Sequence, residues 1–395
     1  MSILDTRNSA AFAGVFVQTN EQGTNRVLAF RRGEDGALEP AGEYLTGGAG
    51  LGAVHLGSQG SVILTPDGRF LLVTNAGSDD VAVFAVHDDG LELVQTTPSD
   101  GVAPVSVSEH DGLVYVLNSG HPGLAGFTLD ADGLHTLPES RRELAAGADP
   151  AQVGFSPDGA TVVVTQRGTN SLLSFPVDPS GLLGDPREVA SSGQTPYGFT
   201  FADRQTLVVT EAFGAQIGRA AASSYRLTAH GLTPVSRSVG NGRSAICWAV
   251  SDRSGRFVFA TNFADGAVSR YEVDAGGSLT LADATAGTAV EAHPGLRDED
   301  LSGDGRYLYA IDADAPHLWL ACRSRWTVDR GRVPQRPAGF GRGPRRQLTR
   351  RKAELRPERQ APRETGTARR TEAAEILAAA EKVMSSATRW HSATR

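Results

Sequence analysis

The chain has 395 residues, 46 of them glycine, only two cysteines, and a formal charge of −7. Two cysteines exclude a disulfide framework or a thiolate metal centre, and no apolar run approaches the ~20 residues of a membrane helix. The charge is uneven: residues 316–395 hold 19 Lys+Arg against 7 Asp+Glu, net +12, which leaves 19 basic and 38 acidic residues, net −19, in 1–315, a body unsuited to neutralising nucleic-acid phosphates.

Residues 1–13 form a short lead with no basic start and apolar core, so no signal peptide is expected. From Gly14 the stretch GVFVQTNEQGTNRVLAFRR reads as two strands around a turn. The same hairpin returns as GRFLLVTNAGSDDVAVFAV from Gly68, GLVYVLNSGHPGLAGFTL from Gly112, GATVVVTQRGTNSLLSFPV from Gly159 and GRFVFATNFADGAVSRYEV from Gly255. A repeated unit of this kind is a stacked or radial architecture.

Each unit has four parts. An apolar run ends in an acidic-glycine turn (SVILTPDG, QVGFSPDG, WAVSDRSG, DLSGDG), and a second run follows (RFLLVTN, TVVVTQ, TLVVTE, RFVFATN, RYLYAID). A third alternates around an aromatic residue (VAVFAV, LLSFPV, VSRYEV), and a fourth starts at a turn (GLELVQT, GLHTLPE, GLTPVSR, GSLTLAD). Period-two alternation between Asp-Gly turns predicts antiparallel strands, and four per unit is a propeller blade. Seven polar residues close the second strands: Asn20, Asn75, Asn118, Gln166, Glu211, Asn262 and Asp312. The fold expected is therefore an all-β, seven-bladed β-propeller over 14–315. The first blade lacks an innermost strand before Gly14, and the seventh loses its third and fourth strands after Asp312.

Residues 316–395 read as an irregular basic tail, with helical composition only in TEAAEILAAAEKVM, 371–384. A basic arm for nucleic acid or an acidic partner is one account. A reading-frame shift is the favoured one, because the blade pattern stops in mid-unit.

Antiparallel connectivity puts residues before each first strand and after each second strand on one rim of the central channel, where binding groups gather. On that rim or in nearby loops stand His55, Ser58, Gln59, Asn75, Asn118, Gln152, Gln166, Tyr197, Cys247, Trp248, Asn262, Asp298, Glu299, Asp300 and Asp312. The substrate-binding candidates among them are His55, Gln59, Asn75, Asn118, Gln152, Gln166, Tyr197, Trp248, Asn262 and Asp312. The competing account of each Asn or Asp is a strand-end cap bonded to backbone. Glu211, a carboxylate beside a channel wall, is the acid–base candidate, and His121 in GHPG is a second group titrating near neutrality. Each has a plainer alternative, an Arg-paired strand-end glutamate and a turn histidine. Arg219 and Arg243 are possible cationic partners. No nucleophile elbow, phosphate loop or zinc spacing is present, and the acidic turns carry too few carboxylates for calcium. No metal or cofactor is expected.

The stretch LLVTNAGSDDVAVFAV resembles the YVTN-type repeat, and SPDG…VVVT…SFPV…DGL is similar to the lactonase family of seven-bladed propellers, which includes propeller-type 6-phosphogluconolactonases and carboxy-cis,cis-muconate cyclases. The resemblance spans about 14–315. It implies hydrolysis or cyclisation of a small acidic lactone; a cytoplasmic monomer is the default expectation from composition. The family places Gly-Pro-Arg-His before the innermost strand of the blade whose second strand ends in Asn-Glu. Here the positions read Thr195-Pro196-Tyr197-Gly198 and Thr210-Glu211, so the glutamate is kept while Tyr and Gly stand for Arg and His. Two blades earlier GVAPVSVSEHDG has no His at its start. The alternative function is a non-catalytic propeller that binds a small molecule or peptide on the same rim.

Overall fold

The computed structural model describes residues 3–5, 14–53, 56–288, 295–312 and 317–322, the first and last as backbone strands only. Contacts divide the chain into residues 1–334 and 335–395. The second unit lies outside the described residues, as does the helix expected over 371–384.

The described residues form seven antiparallel sheets, six of four or five strands and one of three. The second strands of blades two to seven, Phe70–Asn75, Leu113–Asn118, Thr161–Gln166, Thr206–Glu211, Phe257–Asn262 and Tyr307–Asp312, end on the polar residues read from the sequence. In blade one the strand Gly14–Gln18 stops two residues before Asn20.

Alternation decides the packing. Successive side chains of a strand face opposite sides of its sheet, so each second strand feeds two seams. Leu71 and Val73 pack against Phe16 and Val27 of blade one, while Phe70 and Leu72 pack against Val114 and Val116 of blade three. The pattern recurs around the ring, and the last seam joins Val15 and Val17 of blade one to Tyr309 and Ile311 of blade seven. The Tyr307 and Tyr309 hydroxyls fasten that seam by donating to the carbonyls of Glu34 (2.8 Å) and Gly36 (2.9 Å).

The innermost strands are Ile3–Asp5, Val62–Leu64, Pro104–His110, Pro150–Phe155, Pro196–Phe201, Ile246–Ser251 and Leu296–Leu301. Each touches the innermost strand of the next blade, and Leu296–Leu301 touches Ile3–Asp5, so the ring closes.

Two sequence expectations are corrected. Blade one has its innermost strand, with Ile3 opposite Val17. Three residues are too few to display a period, which is why 1–13 reads as a lead. Blade seven has a third strand, His317–Cys322, paired with Tyr307–Asp312. Its sequence HLWLAC is apolar without strict alternation and follows no Asp-Gly turn. Strands thus lie outside the expected bounds of 14–315 at both ends. Among the described residues blade seven has no fourth strand.

The acidic-glycine turns repeat one small network. In blade two the Thr65 hydroxyl donates to the Asp67 carboxylate (2.6 Å) and accepts the Phe70 amide (3.0 Å). In blade four Ser156 does the same with Asp158 (2.6 Å) and Thr161 (3.0 Å). Gly68 and Gly159 take φ of +74° and +70° there, a region that suits glycine.

Candidate functional site

Four blades enter the rim in one way. Ala103, Asp149, Thr195 and Ala245, each just before an innermost strand, have φ of 53°, 45°, 57° and 53°. Their carbonyls accept the amides of Ser119 (2.9 Å), Arg167 (3.1 Å), Ala212 (3.0 Å) and Phe263 (2.9 Å), the residues that follow the second strands. These bonds fix both chain ends on one rim. Left-handed backbone is unfavourable for a β-branched residue, so Thr195 stores strain of about 1–3 kcal/mol.

The seven strand-end polar residues are all buried, and those with resolved partners act as latches. Asn75 accepts from Asn25 Nδ2 and the Thr46 hydroxyl (2.8 Å each) of blade one and donates to Asp80 (2.6 Å). Asn118 accepts from the Ser99 hydroxyl (2.8 Å). Gln166 accepts from the Ser171 hydroxyl (3.0 Å). Asn262 accepts from Asn241 (2.9 Å) and donates to Ser269 (2.9 Å). Asn20 donates to the Ala53 carbonyl (2.9 Å). Asp312 closes the seventh second strand and is 4 % exposed. Their bonds run to loops and outer strands of their own and preceding blades. Most of these bonds go to side chains, so they tie loops and strands together where the capping account expected bonds to backbone.

Glu211 follows the same pattern and is fully buried. Its Oε1 accepts the Gly193 amide (2.8 Å) and the Ser223 hydroxyl (2.5 Å), and its Oε2 accepts the Ser238 hydroxyl (2.7 Å). Burial pushes its carboxyl above the ordinary range, while the Ser223, Ser238 and Gly193 donors pull the other way. The carboxylate is a tie between the blade-four linker and the outer strands of blade five. His121 is exposed, on the hairpin loop between the second and third strands of blade three. His55 lies outside the described residues. Arg219 stacks over Phe213 at 5.2 Å on an exposed loop, and Arg243 donates to the Ala284 carbonyl (3.1 Å).

Gln59 and Gln152 do reach the axis. An innermost strand presents one edge of backbone groups with no further strand to pair them, and such groups must find partners when buried. Gln152 supplies them for blade five: Nε2 donates to the Phe199 carbonyl (3.1 Å) and Oε1 accepts its amide (2.6 Å). Gln59 does this for Ala249 of blade six, across the axis, at 2.8 and 3.1 Å. The Trp248 indole donates to the Ser58 carbonyl (3.0 Å). Ser106 Oγ donates to the Gln59 carbonyl (2.6 Å), and the Gln59 amide donates to Ala151 (3.1 Å). Ser58-Gln59 thus bonds to blades three, four and six. Gly198 leaves the room: a Cβ there would overlap Gln59 Oε1 and lie 2.6 Å from the Cys247 carbonyl.

Two arginines stand among the buried aromatic residues of the rim. Tyr197, Cys247, Trp248, Ala151 and Ala212 form one buried cluster. Arg167 lies over the Tyr197 ring at 4.8 Å, tied to the Asp149 carboxylate at 2.7 Å. Arg297 is buried over Phe263 at 4.5 Å. Burial raises the Cys247 thiol to about 12 and the Tyr197 phenol as well, against the pull of Arg167 and Arg297 on both. Both groups therefore stay protonated at neutral pH. The sequence reading missed both arginines. Arg167 directly follows the strand-ending Gln166, and Arg297 falls in the rim segment that supplies Tyr197 and Cys247 in blades five and six.

Among the described residues no three His, Cys, Asp or Glu side chains gather as metal ligands would, and no helix is long and apolar enough to cross a membrane.

The model of the family "Lactonase, 7-bladed beta-propeller" matches residues 19–132 and 106–212. The chain is similar in fold to a functionally unknown protein from Desulfotomaculum acetoxidans, at 15% identity and a TM-score of 0.62 over 82% of this chain and 95% of that one. It is also similar to proteins from Bacteroides fragilis and Bacteroides uniformis, each provisionally described as a 6-phosphogluconolactonase. The first gives 18% identity and a TM-score of 0.60, covering 84% of this chain and 92% of that one. The second gives 16% and 0.60, covering 84% and 93%. No curated protein matches the chain.

Proposed function

This chain is a lactonase-family β-propeller, and from that premise we propose that it acts on a small acidic lactone held at the rim, opening or closing the cyclic ester of a polar acid. The observation that carries the proposal is Arg167, held over the ring of Tyr197 at 4.8 Å beside the buried cluster of Tyr197, Cys247 and Trp248. An arginine fixed over a buried aromatic floor favours an anionic substrate and stabilises charge developing on a carbonyl oxygen. The provisional description of the two Bacteroides proteins as 6-phosphogluconolactonases supports the same substrate class.

In this reading Glu211 is a latch, because protein donors occupy both of its oxygens. The test is lactone turnover by the purified protein across a panel of phosphorylated and unphosphorylated acid lactones, with Glu211→Gln assayed beside it. Turnover of an acidic lactone, with the variant within a few-fold of wild type, is the expected outcome. Loss of turnover in a folded Glu211→Gln protein would return Glu211 to the chemistry.

One observation favours the second reading, ligand binding without turnover: neither acid–base candidate from the sequence presents a titrating group at the Arg167–Tyr197 rim. Saturable binding of a hydroxy acid with no hydrolysis of any lactone in the panel would select it.

A further inference from the structure

We propose that the seam between blades six and seven is a pH-sensitive joint, closed while Glu299 carries a proton and opened, ahead of the rest of the ring, when Glu299 gives that proton up. The inference goes beyond the lactone reading and does not depend on it. In blades two to six the innermost-strand residue paired two positions before the second-strand end is Val62, Val107, Val153, Phe199 or Ala249. In blade seven that place, opposite Ala310, belongs to Glu299. Ala310 packs with Phe259 and Val268 of blade six, and alternation turns Glu299 to the same side. A carboxyl thus stands in an apolar seam. It is 2% exposed, and neither oxygen accepts a hydrogen bond of good geometry.

The facing strand of blade six also lacks a tie that its neighbours have. The hydroxyls of Thr165 and Thr210, each one residue before a strand end, donate to the Tyr197 and Cys247 carbonyls of the next blade at 2.6 Å. Thr261 holds the same place and is buried, yet its hydroxyl has no partner among the described residues. What joins blade seven to blade six is the apolar contact, Arg297 stacked over Phe263 at 4.5 Å, and the Gly295 amide donating to the Phe263 carbonyl at 3.0 Å.

The charged groups around Glu299 favour its neutral form. Asp298 and Asp300 flank it on its own strand and add to the effect of burial, and the Thr261 amide alone opposes them. Arg297 is held by Phe263, Arg270 on the third strand of blade six lies over Phe257 at 5.3 Å, and Asp312 ends the paired strand with a further carboxyl. Below about pH 4.3, the value for a solvated glutamate, the closed and open seams both hold the proton and pH has no effect. Above it, opening releases a proton that the closed seam retains. The open population then grows about tenfold per pH unit, until the pKa of the closed seam is passed.

The experiment is hydrogen exchange of the full chain, read by mass spectrometry from pH 6 to 8 as protection relative to the intrinsic rate at each pH. Peptides within 296–312 report on blade seven and peptides within 104–118 on blade three. In wild type, blade seven is expected to be at least tenfold less protected than blade three, and to lose protection about tenfold per pH unit. Glu299→Gln keeps the volume but cannot ionise, so it should abolish the slope. Glu299→Ile should abolish it and raise protection at pH 8. Melting curves confirm that each variant is folded, and Glu299→Ile decides the matter if Glu299→Gln is not. A wild-type slope that persists in a folded variant, or no slope in wild type, would remove Glu299 from the joint. Equal protection of the two blades in wild type would mean that the ring opens as a whole, and would overturn the joint itself.

Discussion

Two buried glutamates show how burial and partners decide what a carboxyl does. Glu211 has a donor for each oxygen and holds blade five together. Glutamine can keep that arrangement, its oxygen accepting from Gly193 and Ser223 and its amide donating to Ser238, so Glu211→Gln should unfold close to wild type. Glu211→Ala leaves three donors stranded and should cost about 2–4 kcal/mol in urea unfolding. Glu299 is the opposite case. It is 2% exposed on the innermost strand of blade seven, and neither oxygen accepts a hydrogen bond of good geometry, the Thr261 amide being near but poorly aligned. It pairs with Ala310, a member of the apolar seam against Phe259 and Val268 of blade six. Burial raises its pKa well above the ordinary range, Asp298 and Asp300 add to the rise, and only the Thr261 amide opposes it. A raised acid pKa fixes the sign. Below the unfolded value, about 4.3, both states hold the proton. Above it the unfolded chain releases a proton that the fold retains, so stability falls as pH rises toward the folded value. Glu299→Ile should therefore stabilise the protein by about 1–3 kcal/mol at pH 8, and by less at pH 5. Denaturant midpoints at the two pH values measure this, and an equal gain at both would refute the titration argument.

At the scale of the element, strands close because their edges are answered, by other strands outside and by side chains at the axis. Gln59 and Gln152 each act as a short piece of strand for the backbone of a different blade. Gln59→Ala strands the Ala249 amide and carbonyl and should cost about 2–4 kcal/mol, with Gln152→Ala costing a similar amount through Phe199. Alternation and Asp-Gly turns made most of this architecture legible in sequence, because one period sorts side chains into two seams and one turn network recurs. Ile3–Asp5 and His317–Cys322 escaped that reading, one through shortness and the other for lack of a turn signal. The site was less legible than the fold. An Asn or Glu at a strand end carries no mark of which way it faces, so the latch residues read as a channel lining. Topology alone puts Gln59, Tyr197 and Trp248 beside the innermost strands, which is why sequence could name them as rim residues. Arg167 was overlooked one position beyond the ring of polar residues, where its tie to Asp149 depends on a left-handed residue that sequence does not display.

For the whole ring, closure rests on lateral packing of blade seven against blade one and on a plug through the axis. The blade-one seam with Tyr307 and Tyr309 carries the first, and Ser58-Gln59 the second. Among the described residues blade seven has three strands where other blades have four or five, and a strand edge left uncovered invites opening or aggregation. A chain supplied with a fourth strand for blade seven should melt at a higher temperature than the present one, and equal melting temperatures would count against an open edge there. The rim needs the ring, because Arg167 of blade four lies on Tyr197 of blade five, which packs with Cys247 and Trp248 of blade six. The most direct test is a double-mutant cycle between Gln59→Ala and Trp248→Phe, residues 189 positions apart that meet only across a closed axis. Side chains sharing one network are expected to couple by about 1 kcal/mol or more. Additivity within about 0.5 kcal/mol would mean that blades two and six do not meet there, and the plug, the ring and the rim site would fall with it.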